Sequence, residues 1–274
     1  MRFIKLFKFD LNYGIIKAYK KYVAYLLLMI PVFFEFYVNI NSFRIKHFSY
    51  ADVLMYIFGG VKEYTPSLVD PFQIPYIWSL NHLLILYFIL NYMNKDLEGF
   101  GQQTIYRSKS RNIWWFSKCI TQIISVGLYY LLAWFELLIL TLVLKGNATL
   151  NLSSFISNIV YAGDKVISDN WNLSWELMLM PFLFTVSMSL IQMALCLFFR
   201  PVLSYVVSVI VCISSSYCLS PFLIGNYSMP IRSDKIVSNG VNMEIGVIIL
   251  ILIAAAGVIV GLFKFKKQNI LSKG

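Results

Sequence analysis

Long apolar runs separated by short polar segments set the pattern of this chain. Six runs approach membrane-spanning length: 22–40, 74–93, 119–144, 175–199, 202–220 and 245–263. About 20 apolar residues in a helix cross a hydrocarbon core roughly 30 Å thick. The third run is entered without a breaker. A continuous helix over 113–144 has 32 residues and is about 48 Å long, more than the core requires. Its first turns are therefore expected to project, with Trp114 and Trp115 at headgroup level.

The segments between the runs differ in kind. Residues 1–21 carry Lys5, Lys8 and Asn12 on one helical face and Phe3, Phe7, Leu11 and Ile15 on another. This spacing predicts a helix lying in the interface. Lys17 and Asp10 fall off the polar stripe. Residues 50–58 form an apolar piece too short to span, expected on the surface. Residues 145–171 and 221–243 read as polar loops, and Arg200-Pro201 as a tight turn between the fourth and fifth runs. The fifth run is rich in serine, which permits close contact or hydrogen bonds between helices. The sixth has a small-residue side containing Gly257-x-x-x-Gly261, read as a helix-packing surface, with a dimer seam as the weaker alternative.

Composition turns this pattern into a class. Of 274 residues, 59% are apolar and 13% charged, against about 25% charged in soluble domains. The mean hydropathy is +0.70. The chain is thus expected to be a single all-α integral membrane domain in the lipid bilayer over 1–274, with six transmembrane helices and an N-terminal interfacial helix. The net charge of +10 does not point to nucleic acid, because the basic residues flank apolar runs. Cys119, Cys196, Cys212 and Cys218 lie in or beside those runs without CxxC spacing, so packing is favoured over a disulfide framework or zinc site. The N-terminus interleaves Lys with apolar residues and does not read as a signal peptide.

Charge also orients the chain. Sixteen of the 23 Lys and Arg fall in the N-terminal segment, the 94–118 stretch, the Arg200 turn and the tail; seven fall in the other three loops. The positive-inside rule then places both termini and residues 94–118 in the cytoplasm of a multi-pass plasma-membrane protein.

Residues 94–118 are the most polar and basic stretch between two long apolar runs. Leu97, Phe100 and Thr104/Ile105 recur at helical spacing, with Asn94 or Asp96 as N-cap, which predicts a short helix over about 96–107. Gly101 permits close approach of another backbone. Two readings stand for the stretch by itself: an ordinary positive-inside loop, and a docking element.

Glu98 and Gly101, then Ile105, Arg107-Ser108, Ser110-Arg111 and Lys118 at the entry to a long span, resemble the pattern of ABC-2-type permeases, the membrane subunits of ABC exporters. Where that family usually has a leucine–proline pair, this chain has Tyr106-Arg107-Ser108-Lys109. The resemblance implies a cytoplasmic coupling helix between spans two and three. It implies contact with a partner ATPase through Glu98, Gly101, Gln102, Arg107, Arg111 and Lys118, and a second permease subunit as homo- or heterodimer. The implied cargo is an amphipathic peptide, lipid-like molecule or drug, with peptide-antibiotic immunity as one variant. The chain itself has no GxxxxGK[ST] phosphate loop. It is expected to hold no cofactor, ATP and Mg being bound by the separate cytoplasmic ATP-binding cassette chain.

Four polar residues fall inside the runs: Glu35, Asn81, His82 and Glu136. Their positions suggest a similar depth. An ionisable group in hydrocarbon normally faces the bundle interior, a partner or water. Either they line the outer part of a substrate path, or they hydrogen-bond helix to helix. No HExxH, GxSxG or paired-Glu motif is present, so neither a catalytic site nor a metal site is expected. An ion-coupled secondary transporter and a non-pumping immunity or scaffold protein are the alternatives.

Overall fold

The computed structural model describes residues 2–45, 47–66, 71–98, 110–153, 172 and 174–267. Most of these are helical, with three isolated β-bridges among the described residues. The helices are α1 (Arg2–Leu11), α2 (Tyr19–Ser42), α3 (Tyr50–Phe58), α4 (Tyr76–Leu90), α5 (Tyr92–Glu98), α6 (Arg111–Val143), α7 (Ser174–Leu195), α8 (Pro201–Tyr217) and α9 (Met243–Lys267). A wide turn over Asn12–Ile16 interrupts the predicted 1–21 helix.

Among the described residues, four helices are long and apolar enough to cross a membrane: α2, α6, Trp175–Leu195 of α7, and α9. They mark a membrane-embedded protein. Helix α6 runs without a break for 33 residues, close to the predicted 113–144. Helices α4 and α8 have 15 and 17 residues, about 22 and 26 Å at helical rise. Helix α4 stops at Asn91 and α5 follows, so the predicted 74–93 run is not one helix.

Helix α7 is the centre of the bundle. In its apolar window 72% of residues are buried, against 22–33% in the other three long helices. The outer helices therefore keep apolar faces open to lipid, among them Leu27 and Val38, Val206 and Ile210, and Ile251 and Leu252. The serines of α8 turn inward: Ser208 donates to Gln192 Oε1 of α7 at 3.1 Å, and Gln192 Nε2 donates to the Leu86 carbonyl at 3.1 Å.

Helices α7 and α9 pack along one another through glycine. A Cβ on Gly257 would lie 3.0 Å from the Ile191 backbone nitrogen, and one on Gly261 only 2.0 Å from the Trp115 ring. The small-residue motif thus serves packing within the chain. Gly261→Ala is expected to cost about 1–3 kcal/mol, because buried Trp115 has no free space to yield. Thermal unfolding of the purified variant, beside Gly257→Ala as the milder case, measures it. An unchanged melting temperature for Gly261→Ala would place the motif's surface outside the packed core.

Two expectations are corrected at the end of the bundle where the loops after α2, α6 and α8 meet. Helix α3 does not lie on the surface; it is inserted among α2, α4, α6 and α7, and all its residues but Tyr56 are buried. It can enter because its polar terminus is satisfied locally. Ser49 and Asp52 form a reciprocal capping box, and Tyr50 N–H and Ala51 N–H donate to Asn147 and Thr149 carbonyls at 2.8 and 3.2 Å. At its other end Gly60 takes φ +80°, where any Cβ would strike Met229.

The 221–243 segment is likewise no open loop. Two tight turns, Ile224–Ser228 and Pro230–Arg232, fold over the end of α8. Arg232 is 1% exposed and donates to six oxygens. These include the Ser216, Cys218, Val61 and Lys62 carbonyls at 2.6, 3.2, 2.7 and 3.0 Å, together with Ser215 O and Asn226 Oδ1. The cation sits at the negative end of α8's dipole and fills its unpaired carbonyls. Burial lowers the Arg232 pKa to about 10, opposed by the charge of Glu63.

Candidate functional site

The basic end of the bundle is built around Lys118. Helix α1 turns Leu6 and Asp10, four residues apart, toward α6, and both are buried. Trp114 and Lys118, also four apart, share the facing side of α6. Lys118 is fully buried and pairs with Asp10 Oδ1 at 2.6 Å and Asp96 Oδ2 at 2.7 Å. It also donates to the Tyr92 hydroxyl at 3.3 Å, and Ser117 Oγ–H donates to Asp10 Oδ2 at 2.5 Å. The Tyr92 and Trp114 rings lie 4.8 and 5.1 Å from the ammonium, close enough for cation–π attraction. One cation thus serves two carboxylates. Burial pushes the Asp10 carboxyl above the ordinary range, against the pull of Lys118 and the Ser117 hydrogen bond.

Arg111 ties in a further element. Its Nη1 donates to the Lys266 carbonyl at 2.5 Å and to Phe265 O at 3.5 Å, at the last turn of α9. Trp114 stacks on Phe265 with centroids 4.7 Å apart, and Trp115 Nε1 donates to the Val258 carbonyl at 2.9 Å. Both tryptophans are fully buried, so they are not headgroup anchors. Trp115 fills the space opened by Gly261 between α6 and α9. The chemistry of this end is mechanical: α1, α5, α6 and α9 are locked so that displacing one loads the others.

A second polar group lies inside the bundle. Tyr25 of α2 donates to Asn81 Oδ1 of α4. His82 Nδ1 meets Thr185 Oγ1 at 2.7 Å and the Tyr130 hydroxyl at 3.1 Å, and Tyr130 also bonds Thr185 Oγ1 at 2.7 Å. His82 Nε2, Asn81 Nδ2 and Glu136 Oε2 are buried with no hydrogen-bond partner among the described residues. Glu136 lies within electrostatic reach of Tyr25. Glu35 stands apart, accepting from Tyr56 at 3.0 Å and from Tyr76. Tyr76 precedes Asn81 by five residues on α4, about 8 Å along the axis, so the four polar residues form two groups.

The family described as "Protein of unknown function (DUF2705)" matches residues 25–271 of the chain. The chain belongs to the DUF2705 family. No curated protein and no solved structure matches it.

In this DUF2705 chain the match takes in Asp96, Arg111 and Lys118 of the basic cluster. Of the residues expected to contact a partner, Gly101, Gln102 and Arg107 lie outside the described residues, as does most of the expected 96–107 helix. Glu98 closes α5. Asn94 and Asp96 lie inside α5 rather than capping it, and Asp96 is committed to Lys118. Lys118 and Arg111 face inward, onto Asp10 and α9. Asp10 went unassigned in the sequence, yet it left a signal: a carboxylate off the polar stripe of an amphipathic helix needs a buried cation. Tyr25, Tyr130 and Thr185 left none, since tyrosine and threonine are common in apolar helices.

Proposed function

We propose that this chain is the membrane subunit of an ATP-driven exporter of the ABC-2 type, with hydrolysis in a separate cytoplasmic ATPase. In this reading α2, α4, α6, α7, α8 and α9 are six spans, both termini are cytoplasmic, and α1 lies at the inner surface of the plasma membrane. The observation that carries it is Lys118 joined at once to Asp10 and Asp96. In the sequence, α5 ends two residues after Asp96 and α6 begins seven residues before Lys118, with 99–109 between them. A push on that segment by a partner therefore reaches α1 and α6 through one buried cation. Two states of the partner bias two states of the bundle only if they load this junction differently. The interior group around Asn81, His82 and Glu136, with its unpartnered polar atoms, is the place where an amphipathic cargo finds hydrogen bonds. A second copy or a homologous subunit completes the path.

Co-expression with a Walker-motif ATPase encoded beside this chain tests the reading. Affinity purification in mild detergent is expected to recover that ATPase. The Glu98→Ala/Arg107→Ala double variant is expected to lose most of it while the membrane subunit stays folded and monodisperse. Transport by the purified chain with no ATPase present would end the proposal.

A further inference from the structure

A pocket of about 250 Å³ opens at the basic end beside the Lys118 cluster, with which it shares Tyr92. The Asn12–Ile16 turn and the start of α2 form one wall, the α4–α5 junction a second, and α6 the third. Lys17 and Lys21 line it, and no carboxylate does among the described residues. Lys17 is exposed, whereas the Lys21 ammonium reaches the Phe88 carbonyl at the end of α4. Gln122 of α6 is only 4% exposed. Its side chain lines the pocket. Phe88 and Ile89 continue the wall as apolar surface.

The lining is therefore two cations, the Asn91 and Gln122 side-chain amides, several hydroxyl side chains including Thr121 and Ser125, and an apolar flank. Beside the two cations, these amides and hydroxyls can donate hydrogen bonds to a polar occupant. The occupant the charges select is an anion, and the apolar flank selects one that carries hydrocarbon. Basic pockets between helices at a membrane surface take lipid headgroups. The volume is too small for a whole lipid and admits a headgroup with its chains left in the bilayer.

We propose that this pocket binds the phosphate headgroup of an anionic membrane lipid, held by Lys17, Lys21 and Gln122. The site rests on the basic end lying at the membrane surface and is independent of any ATPase. Lipid binding to the native state raises its unfolding temperature. Purified full-length chain in neutral detergent is titrated with phosphatidylglycerol or phosphatidylcholine, followed by native mass spectrometry and thermal unfolding. Saturable binding and stabilisation by phosphatidylglycerol are expected, with little effect of phosphatidylcholine. Lys17→Gln is expected to weaken phosphatidylglycerol binding about fivefold, and Gln122→Leu to weaken it as well. Lys8→Gln, an exposed lysine on α1 outside the pocket, is expected to change nothing. Equal effects of Lys17→Gln and Lys8→Gln would reduce the attraction to diffuse surface charge and overturn the site. Equal stabilisation by inorganic phosphate or by phosphatidylcholine would overturn its assignment to an anionic lipid.

Discussion

Replacing Lys118 by methionine is expected to destabilise the purified chain by about 3–5 kcal/mol, the usual cost of removing one partner from a buried ion pair. Lys118 and Asp10 have no exposed side-chain surface and Asp96 almost none, so water cannot take over the lost interaction. Unfolding followed by tryptophan fluorescence reads the change directly, since Trp114 lies 5.1 Å from the ammonium. The loss is also expected to depend on pH. Burial already raises the Asp10 pKa while Lys118 lowers it, so removing the lysine raises it further. A carboxyl whose folded pKa exceeds its unfolded value binds protons on folding. Its favourable contribution is full below the unfolded pKa, about 3.9, and is lost as pH rises through the folded value. The variant should therefore recover part of its stability on acidification from neutral pH, more than the parent does. Adding Asp10→Asn and Asp96→Asn to Lys118→Met should restore much of the loss, because the uncompensated charges are then gone. A loss below about 1 kcal/mol, the size expected of an exposed pair, would mean that the cluster is open to water. It would then not serve as a rigid junction.

Arg232→Ala is expected to be of similar size, about 3–5 kcal/mol. Five carbonyls and the Asn226 amide oxygen lose their donor at once. Each buried acceptor left unsatisfied costs about 1–3 kcal/mol before relaxation or water entry. Arg232→Lys should recover less than half. Lysine keeps the charge but offers three donors from one atom, where the guanidinium spreads five over a plane. The damage should concentrate where the 61–62 backbone, the end of α8 and the 224–232 turns meet. Hydrogen exchange at the amides of 224–237 is expected to rise before that of α6 or α7. Uniform acceleration across the bundle would show instead that Arg232 supports the whole fold.

The apolar runs at 22–40, 175–199 and 245–263 overlie α2, α7 and α9 with ends differing by at most four residues, and the run at 119–144 overlies α6 but starts eight residues after Arg111; hydrocarbon demands internally bonded backbone, and helix length follows from membrane thickness. They did not separate α4 from α5, because the apolar pattern continues through Asn91 to Met93 while the helix stops at Leu90. Nor did they place α3: an apolar nonapeptide looks the same whether it rests on a surface or is enclosed. The capping by Ser49 and Asp52 and by the 147–149 backbone decides that. The partner surface expected at 94–118 is only partly described, and two of its cations, Arg111 and Lys118, turn out to hold the chain's own helices.

The sequence by itself determined an all-helical membrane protein, its main helices and the concentration of positive charge at one end, because these follow from local composition and period. It also carried the small-residue motif of α9 as a packing surface. Only the tertiary structure decided which charges are spent internally. Asp10, Asp96 and Lys118 stand up to 108 positions apart, and nothing local distinguishes a lysine that will meet two carboxylates from one that will meet lipid. Arg232 likewise reads as a loop residue until the carbonyls it fills are brought around it. Burial turns such groups from solvated charges into the fixed points of the fold, and burial is a property of the assembled bundle.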